Sequence, residues 1–328
     1  MEYFSTRDAS LRVSAAKAIS QGLSFEGGLF APTEIPKLTP EDITALRGMP
    51  YAERAAFIIG KFLTDFTAEE LRKYAAAAYH ADKFSSPSIA PVRKMTECAS
   101  VLELWHGPTS AFKDMALQIL PHLLTASMKK CGEHKTACIL VATSGDTGKA
   151  ALEGFADVPG TKIAVFYPKD GVSRVQELQM TTQTGDNVYV SSVVGNFDHV
   201  QSKMKEIFAD EALRARAAKG NAFFSSANSI NWGRAVPQIA YYVSGYCDML
   251  NSGELAEGDR FNVCVPTGNF GNILAAYYAR EMGIPIAKLI CASNRNNVLT
   301  DFLRTWKYDK RREFYTTTSP AMDILVSS

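Results

Sequence analysis

Between residues 136 and 292, short apolar runs rich in β-branched side chains alternate with amphipathic stretches, and this alternation limits the folds open to the chain. The pattern predicts strands over 136–143, 162–167, 187–193, 261–265 and 287–292, and helices over 147–155, 174–181, 197–208, 233–250 and 272–281. Strands that are apolar along their length, interleaved with helices, pack as a parallel sheet covered on both faces. The expected fold class is α/β. At 328 residues the chain exceeds one ordinary domain and suggests two or three.

Up to about residue 95 the sequence is helix-rich and carries no repeated strand–helix unit. Pro32, Pro36 and Pro40 punctuate an early loop, and Thr39 before Pro40, Glu41 and Asp42 marks a capped helix start. Further helices are predicted over 52–62 and 68–78, the second with Thr67 as cap and Glu69 and Glu70 in its first turn. The serine- and proline-bearing run 85–91 reads as an exposed connector. It divides the chain into an N-terminal domain, 1–90, and a core, 91–328.

Composition mainly excludes. A net charge of +1 gives no electrostatic case for nucleic acid or an anionic membrane, and no apolar stretch approaches the roughly 20 residues that span a bilayer. The N-terminus lacks the basic start and apolar core of a secretion signal. Cys98, Cys131, Cys138, Cys247, Cys264 and Cys291 show neither Cys-x-x-Cys nor zinc-type spacing, and no metal is expected. Cys138, Cys264 and Cys291 lie in apolar runs and read as small hydrophobes. Reduced cysteines and a cytoplasmic location follow as expectations.

Three segments carry chemistry. Lys113 follows Gly107-Pro108-Thr109-Ser110-Ala111-Phe112 and leads into the apolar run from Met115 to Leu120. An amine at the mouth of such a helix, out of water and beside a positive dipole, loses its proton near neutral pH and becomes a nucleophile. The turn Ser144-Gly145-Asp146-Thr147 joins a predicted strand to a predicted helix, where free amides and hydroxyls suit a carboxylate. The turn Pro266-Thr267-Gly268-Asn269-Phe270-Gly271-Asn272 has the same placement and suits a phosphate. It lacks the lysine of a P-loop and the spacing of a dinucleotide fingerprint, so a small phosphorylated cofactor is preferred over a nucleotide. Read alone, either turn fits a plain strand-to-helix connection as well. Lysine, carboxylate turn and phosphate turn together describe a pyridoxal 5'-phosphate site.

The strings GPTSAFKD, ATSGDTG and PTGNFGN resemble threonine synthase, within the fold type II, tryptophan-synthase-β-like pyridoxal-phosphate enzymes. Agreement extends to YFSTRD, GGLFAP, NSINWGR, PQIAYY and the closing SPAMDILVSS, and so covers essentially the whole chain. The resemblance implies the longer form with an N-terminal domain. It makes Lys113 the Schiff-base lysine and Gly268, Asn269, Phe270, Gly271 and Asn272 the binders of the cofactor phosphate. Ser144, Gly145, Asp146 and Thr147 would face the substrate carboxylate and the cofactor ring, with Asp146 standing where other relatives carry asparagine. Asp114 is read as a helix cap.

The implied reaction is that of a lyase of threonine biosynthesis, turning O-phospho-L-homoserine and water into L-threonine and phosphate. Ser110, Ser229, Asn231 and Arg234 are candidates to clamp the substrate phosphate. His106 reads as a structural hydrogen-bonding residue, and Trp105, Phe112 and Trp232 as pocket walls or core. Relatives continue past the equivalent of Ser328, where the partner of the pyridine nitrogen is expected, so residues 1–328 alone are expected to be poorly active. Two other readings stay open at this stage: a phospho-lyase giving a 2-oxo acid and ammonia, and a non-catalytic binding protein. The oligomeric state, monomer or dimer, is also open.

Overall fold

A computed structural model of the chain describes residues 1–323 except 267, 310 and 316. Thr267 of the second glycine turn and residues 324–328 of the closing string therefore lie outside the described residues. Strands β1 (Tyr3–Ser5), β2 (Arg12–Val13) and β3 (Phe30–Pro32) form a small antiparallel sheet in the order β2-β1-β3, with α1 (Ala15–Gln21) between β2 and β3. Strands of two or three residues are too short for alternation to register in sequence, and none of these is predicted. Helices α2 (Pro40–Arg47), α3 (Tyr51–Phe62) and α4 (Ala68–Ala78) follow. Thr39 and Thr67 each cap through their side chains, with Asp42 and Glu70 closing reciprocal capping boxes. In the connector Ser85, Pro87 and Ser88 are exposed, but Ile89 and Ala90 at its end are buried.

An antiparallel hairpin of β4 (Val92–Thr96) and β5 (Ala99–Leu102) precedes α5 (Asp114–Leu117) and α6 (Leu120–Lys130). Then come β6 (Thr136–Ala142), α7 (Asp146–Phe155), β7 (Thr161–Pro168), α8 (Arg174–Thr181), β8 (Val188–Val193), α9 (Phe197–Ala209), α10 (Glu211–Lys219) and β9 (Ala222–Ser226). Their four strands make a parallel sheet in the order β8-β7-β6-β9, with Ile139 opposite both Ile163 and Ser225. The polar end of β9 hides it from an apolar-run reading.

The remaining elements are α11 (Trp232–Ser252), β10 (Phe261–Pro266), α12 (Gly271–Met282), β11 (Ile286–Ala292) and α13 (Val298–Thr305). Strands β10 and β11 pair as a second parallel sheet. Phe261, Val263 and Val265 of β10 turn inward, whereas Asn262, Cys264 and Pro266 are exposed. Strand β6 is thus buried along most of its length, whereas alternate residues of β10 are exposed among the described residues. Cys264 is an exposed residue rather than a core one, because period-two alternation puts it on the open face.

Helix α11 binds the N-terminal helices to the sheets, packing on α2, α3, α5 and α12. Buried Arg54 of α3 pairs with Asp248 at 2.6 Å and donates to the Ser244 hydroxyl at 2.9 Å and the Leu46 carbonyl at 2.8 Å. Asp248 is itself partly exposed, but removing it would leave the buried Arg54 guanidinium short of a partner, at a cost of about 1–3 kcal/mol. Tyr3, Phe62, Trp232 and Tyr278 interlock with ring centroids 5.4 to 6.0 Å apart, so Trp232 is core rather than pocket wall. The Tyr79 hydroxyl at the end of α4 donates to the Met115 carbonyl at 2.6 Å, two residues beyond Lys113.

Helix α7 approaches that same segment closely: a Cβ on Gly154 would fall 2.2 Å from the Leu117 carbonyl oxygen. Gly154→Ala must push α7 away from the lysine-bearing turn. The expected loss is about 1–3 kcal/mol of stability, with weaker cofactor retention, measured by denaturant unfolding and by absorbance after dialysis. An unchanged unfolding midpoint would contradict the packing described.

Candidate active site

The loop before Lys113 is built around Asp114. Its fully buried carboxylate accepts from the Thr109 amide at 2.8 Å and the Thr109 hydroxyl at 2.7 Å, with the Ala111 amide at 3.5 Å. Gly107 is required there, because a Cβ would lie 2.5 Å from that of Asp114. Burial, only partly offset by these hydrogen bonds, raises the Asp114 pKa. Its role is to fold the loop onto the start of α5.

Lys113 is the N-cap of α5, a helix of four residues. So short a helix supplies little dipole, and the sequence reading overestimates that contribution. Burial does the work instead. It lowers the amine from an ordinary 10.5 to about 8; Arg234 and Lys149 push the same way, and Asp146 opposes them. The amine lies 3.6 Å from Asp146 Oδ2 and 4.9 Å from the centroid of the Phe112 ring.

Asp146 is delivered by the turn after β6. The Thr143 hydroxyl accepts from the Gly145 amide at 2.9 Å and the Gly148 amide at 2.8 Å, which fixes the entry to α7. Gly145 has φ +130°, and a Cβ there would strike the Gln176 side chain at 2.4 Å, so no other residue fits. Gln176, itself part of the capping box of α8, donates to Asp146 Oδ1 at 2.9 Å. Burial alone would raise the Asp146 pKa; Lys113, Gln176 and Lys149 together outweigh it and hold the carboxyl below its usual value.

The second turn leaves β10 and enters α12 with Phe270 as N-cap in the left-handed region, φ 66°, and without a side-chain cap. The amides of the first turn of a helix have no partner within it. Asn272 is held by its own surroundings: its side chain donates to the Pro266 carbonyl at 3.1 Å, and its carbonyl accepts from the Tyr242 hydroxyl at 3.0 Å.

One cleft brings these parts together. Lys113 shares it with Ser144, Thr147, Arg234 and with Gly268, Asn269, Gly271 and Asn272 of the second turn. Gly145 and Asp146 are not part of its lining, although Asp146 lies 3.6 Å from the Lys113 amine. Phe270 is 36% exposed and shapes the turn through its backbone rather than its ring. Arg234 is buried and donates to the Ala227 carbonyl at 2.7 Å; burial lowers it to about 10. Among the described residues Arg234 Nε and Asn269 Oδ1 are buried without hydrogen-bond partners, as expected where a polar ligand completes the site. An amine poised for an aldehyde, an uncapped helix start and a buried cation fit pyridoxal phosphate.

Other predicted residues fall elsewhere. Ser110 is exposed, outside the cleft lining, in a left-handed conformation with φ 55°. The Asn231 amide is engaged by backbone: it donates to the Ile19 and Ser226 carbonyls at 3.0 and 2.9 Å and accepts from the Gly233 amide at 2.8 Å. His106 bonds Glu103 and Ser85 through its two ring nitrogens, at 2.8 and 2.9 Å, and Trp105 is exposed. The sequence reading passed over Lys149, Gln176, Asn228 and Gln238. Lys149 had a usable signal, since it follows Asp146 by one helical turn; the others reach the site only through folding.

The family described as threonine synthase N terminus matches residues 2–79, and that of pyridoxal-phosphate dependent enzymes matches residues 100–326. Human threonine synthase-like 1 is 42% identical over 98% of this chain and 44% of its own length. The threonine synthase of Pseudomonas aeruginosa is 40% identical over all of this chain and 67% of its own. A crystal structure of PLP-bound threonine synthase from Brucella melitensis superposes with a TM-score of 0.86 at 38% identity, covering 100% of this chain and 68% of that one. The chain spans about half the length of the human relative. By class it belongs to the pyridoxal-phosphate dependent enzyme family. It belongs to the threonine synthase family.

Lys113 should cost the fold stability. Its pKa is depressed when folded, so below about pH 8 the buried ammonium carries the full penalty, which shrinks as pH rises towards 10.5. In cofactor-free protein Lys113→Met is expected to be more stable than wild type at pH 7, by about 1–3 kcal/mol, with the gap narrowing near pH 10. Thermal unfolding at the two pH values checks this, and a wild type that is the more stable at pH 7 would refute it.

Proposed function

We propose that the chain carries the catalytic site of a threonine synthase, which converts O-phospho-L-homoserine and water into L-threonine and phosphate. The observation that supports this reading is the single cleft shared by Lys113 and the 268–272 turn. Lys113 would hold the cofactor aldehyde, and the start of α12, with Gly268, Asn269 and Gly271, would hold its phosphate. The bound cofactor supplies an electron sink that acidifies the carbon–hydrogen bonds of the attached amino acid. Lys113 Nζ moves the protons: it removes one at the α-carbon and one at the β-carbon, returns one at the γ-carbon once phosphate has left, and returns one at the α-carbon once water has added at the β-carbon. An amine with a pKa of about 8 suits transfer in both directions. Ser144, Thr147 and the amides at the start of α7 receive the substrate carboxylate. Arg234, whose Nε has no hydrogen-bond partner among the described residues, receives the substrate phosphate before it leaves from the γ-carbon. Water then adds at the β-carbon.

Residues 1–90 serve as the N-terminal domain and 91–328 as the cofactor-binding core; the family matches over 2–79 and 100–326 support that division. The unpaired cysteines suit a reducing compartment such as the cytosol. Among the described residues no helix is long and apolar enough to cross a membrane, and no cluster of His, Cys, Asp and Glu could hold a metal ion.

A second reading rests on the human relative, which is named threonine synthase-like 1. The same lysine and phosphate cradle serve a phospho-lyase that releases a 2-oxo acid and ammonia. Borohydride reduction of the full-length holoprotein followed by peptide mapping should place the cofactor on Lys113, and Lys113→Ala should abolish turnover. Phosphohomoserine should then yield threonine; accumulation of 2-oxobutyrate would favour the phospho-lyase. A cofactor bound at another lysine, or not at all, would defeat both.

A further inference from the structure

We propose that Lys149 is a positioning residue for Lys113: it engages one oxygen of Asp146 and the Thr109 carbonyl, so that the shared carboxylate does not close on the Lys113 amine. The inference rests on Lys113 as the reactive amine of the proposed function. Lys149 lies one turn into α7 and is 8% exposed, a burial lysine rarely accepts unless paired. Its Nζ donates to the Thr109 carbonyl at 3.0 Å and lies 3.5 Å from Asp146 Oδ1. Gln176 donates to that same oxygen at 2.9 Å.

Lys113 faces the other oxygen, Oδ2, at 3.6 Å, so both amines lie beyond the ~3.2 Å reach of an ordinary direct hydrogen bond and share the carboxylate through its charge. The carboxylate is thus divided between two amines, and its grip on the catalytic one is loose. The charged groups facing Lys113 are Asp146 and Lys149 from α7 and Arg234 from α11. Asp114, on the far side, faces Lys149. Asp146 favours the protonated amine, whereas Lys149 and Arg234 favour the free one. With Lys149 gone, Asp146 keeps Gln176 on one oxygen and turns its charge on Lys113 alone. Lys149 also ties the Thr109 carbonyl, in the loop that carries Lys113, to the helix that carries Asp146.

The test compares Lys149→Met, which keeps length without charge, with Lys149→Arg, which keeps charge, in the full chain before cofactor is added. Competitive acetylation across pH, quantified on the peptide holding residue 113, gives the titration midpoint of that amine. Lys149→Met should raise the midpoint by about one pH unit, a roughly tenfold loss of reactive amine below it, and Lys149→Arg should restore it. In holoprotein the pH dependence of the visible cofactor band should move the same way. Equal midpoints in wild type and a Lys149→Met protein of unchanged melting temperature would overturn the proposal and leave Lys149 a packing residue. If Lys149→Met does not fold, Lys149→Gln, which can still donate to Thr109, gives the same comparison. Acetylation needs no cofactor, so failure of this inference is distinguishable from failure of the borohydride trapping that tests the function.

Discussion

An amine buried opposite a carboxylate that it does not own outright is the constraint on which the rest of this molecule depends. Lys113 is out of water, which disfavours its charge, and Asp146 is the acid that faces it. A buried lysine with an undivided carboxylate partner stays an ammonium and is inert as a nucleophile. A buried lysine with no acid near it would burden the fold further. The chain lies between these limits: Gln176 donates to the other oxygen of Asp146, and Lys149 stands 3.5 Å from it as a second counter-charge. Three elements must therefore meet to within a fraction of an ångström: the turn before α5, the start of α7 and the first turn of α8.

The wider fold reads as the support for that meeting. Helix α7 is pressed against the carbonyl of Leu117 at Gly154, and Thr143 fixes the turn from which α7 begins. On the opposite side, Tyr79 reaches the Met115 carbonyl from the N-terminal helices, and Arg54 locks those helices to α11. Helix α11 in turn supplies Arg234 to the cleft and Tyr242 to the carbonyl of Asn272. The N-terminal segment, which gives no residue to the cleft lining, still sets the position of both the lysine turn and the phosphate turn. Stability and function are opposed at Lys113 and allied everywhere around it.

Much of this could be read from the chain. The helix at 68–78 carries its start signal from Thr67 to Glu70 and begins where that signal says, and the helix at 174–181 was legible from its amphipathic pattern. The strand at 136 and the glycine turn after it were legible because continuous burial and a positive φ leave few residue types possible. Other features were misread for physical reasons. Lys113 looked like a residue tuned by a helix dipole, yet α5 is a single turn. Cys264 looked buried because five neighbouring residues are mostly apolar, yet the second face of β10 is open. Asn231 looked like a ligand-binding amide, and its donors and acceptor are taken by carbonyls and an amide from three separate segments.

Local propensity, periodicity and turn chemistry act over a few residues, and the sequence by itself determined what they govern: the α/β class, most helix and strand bounds, the two glycine turns and the family. The tertiary structure decided what depends on partners far apart in the chain. Whether a polar group faces a cleft or a carbonyl, and how a buried charge is shared among Lys113, Lys149, Gln176 and Arg234, are questions of distance in space. Burial and Coulomb energy change steeply over a few ångströms, and no spacing along the chain encodes that distance.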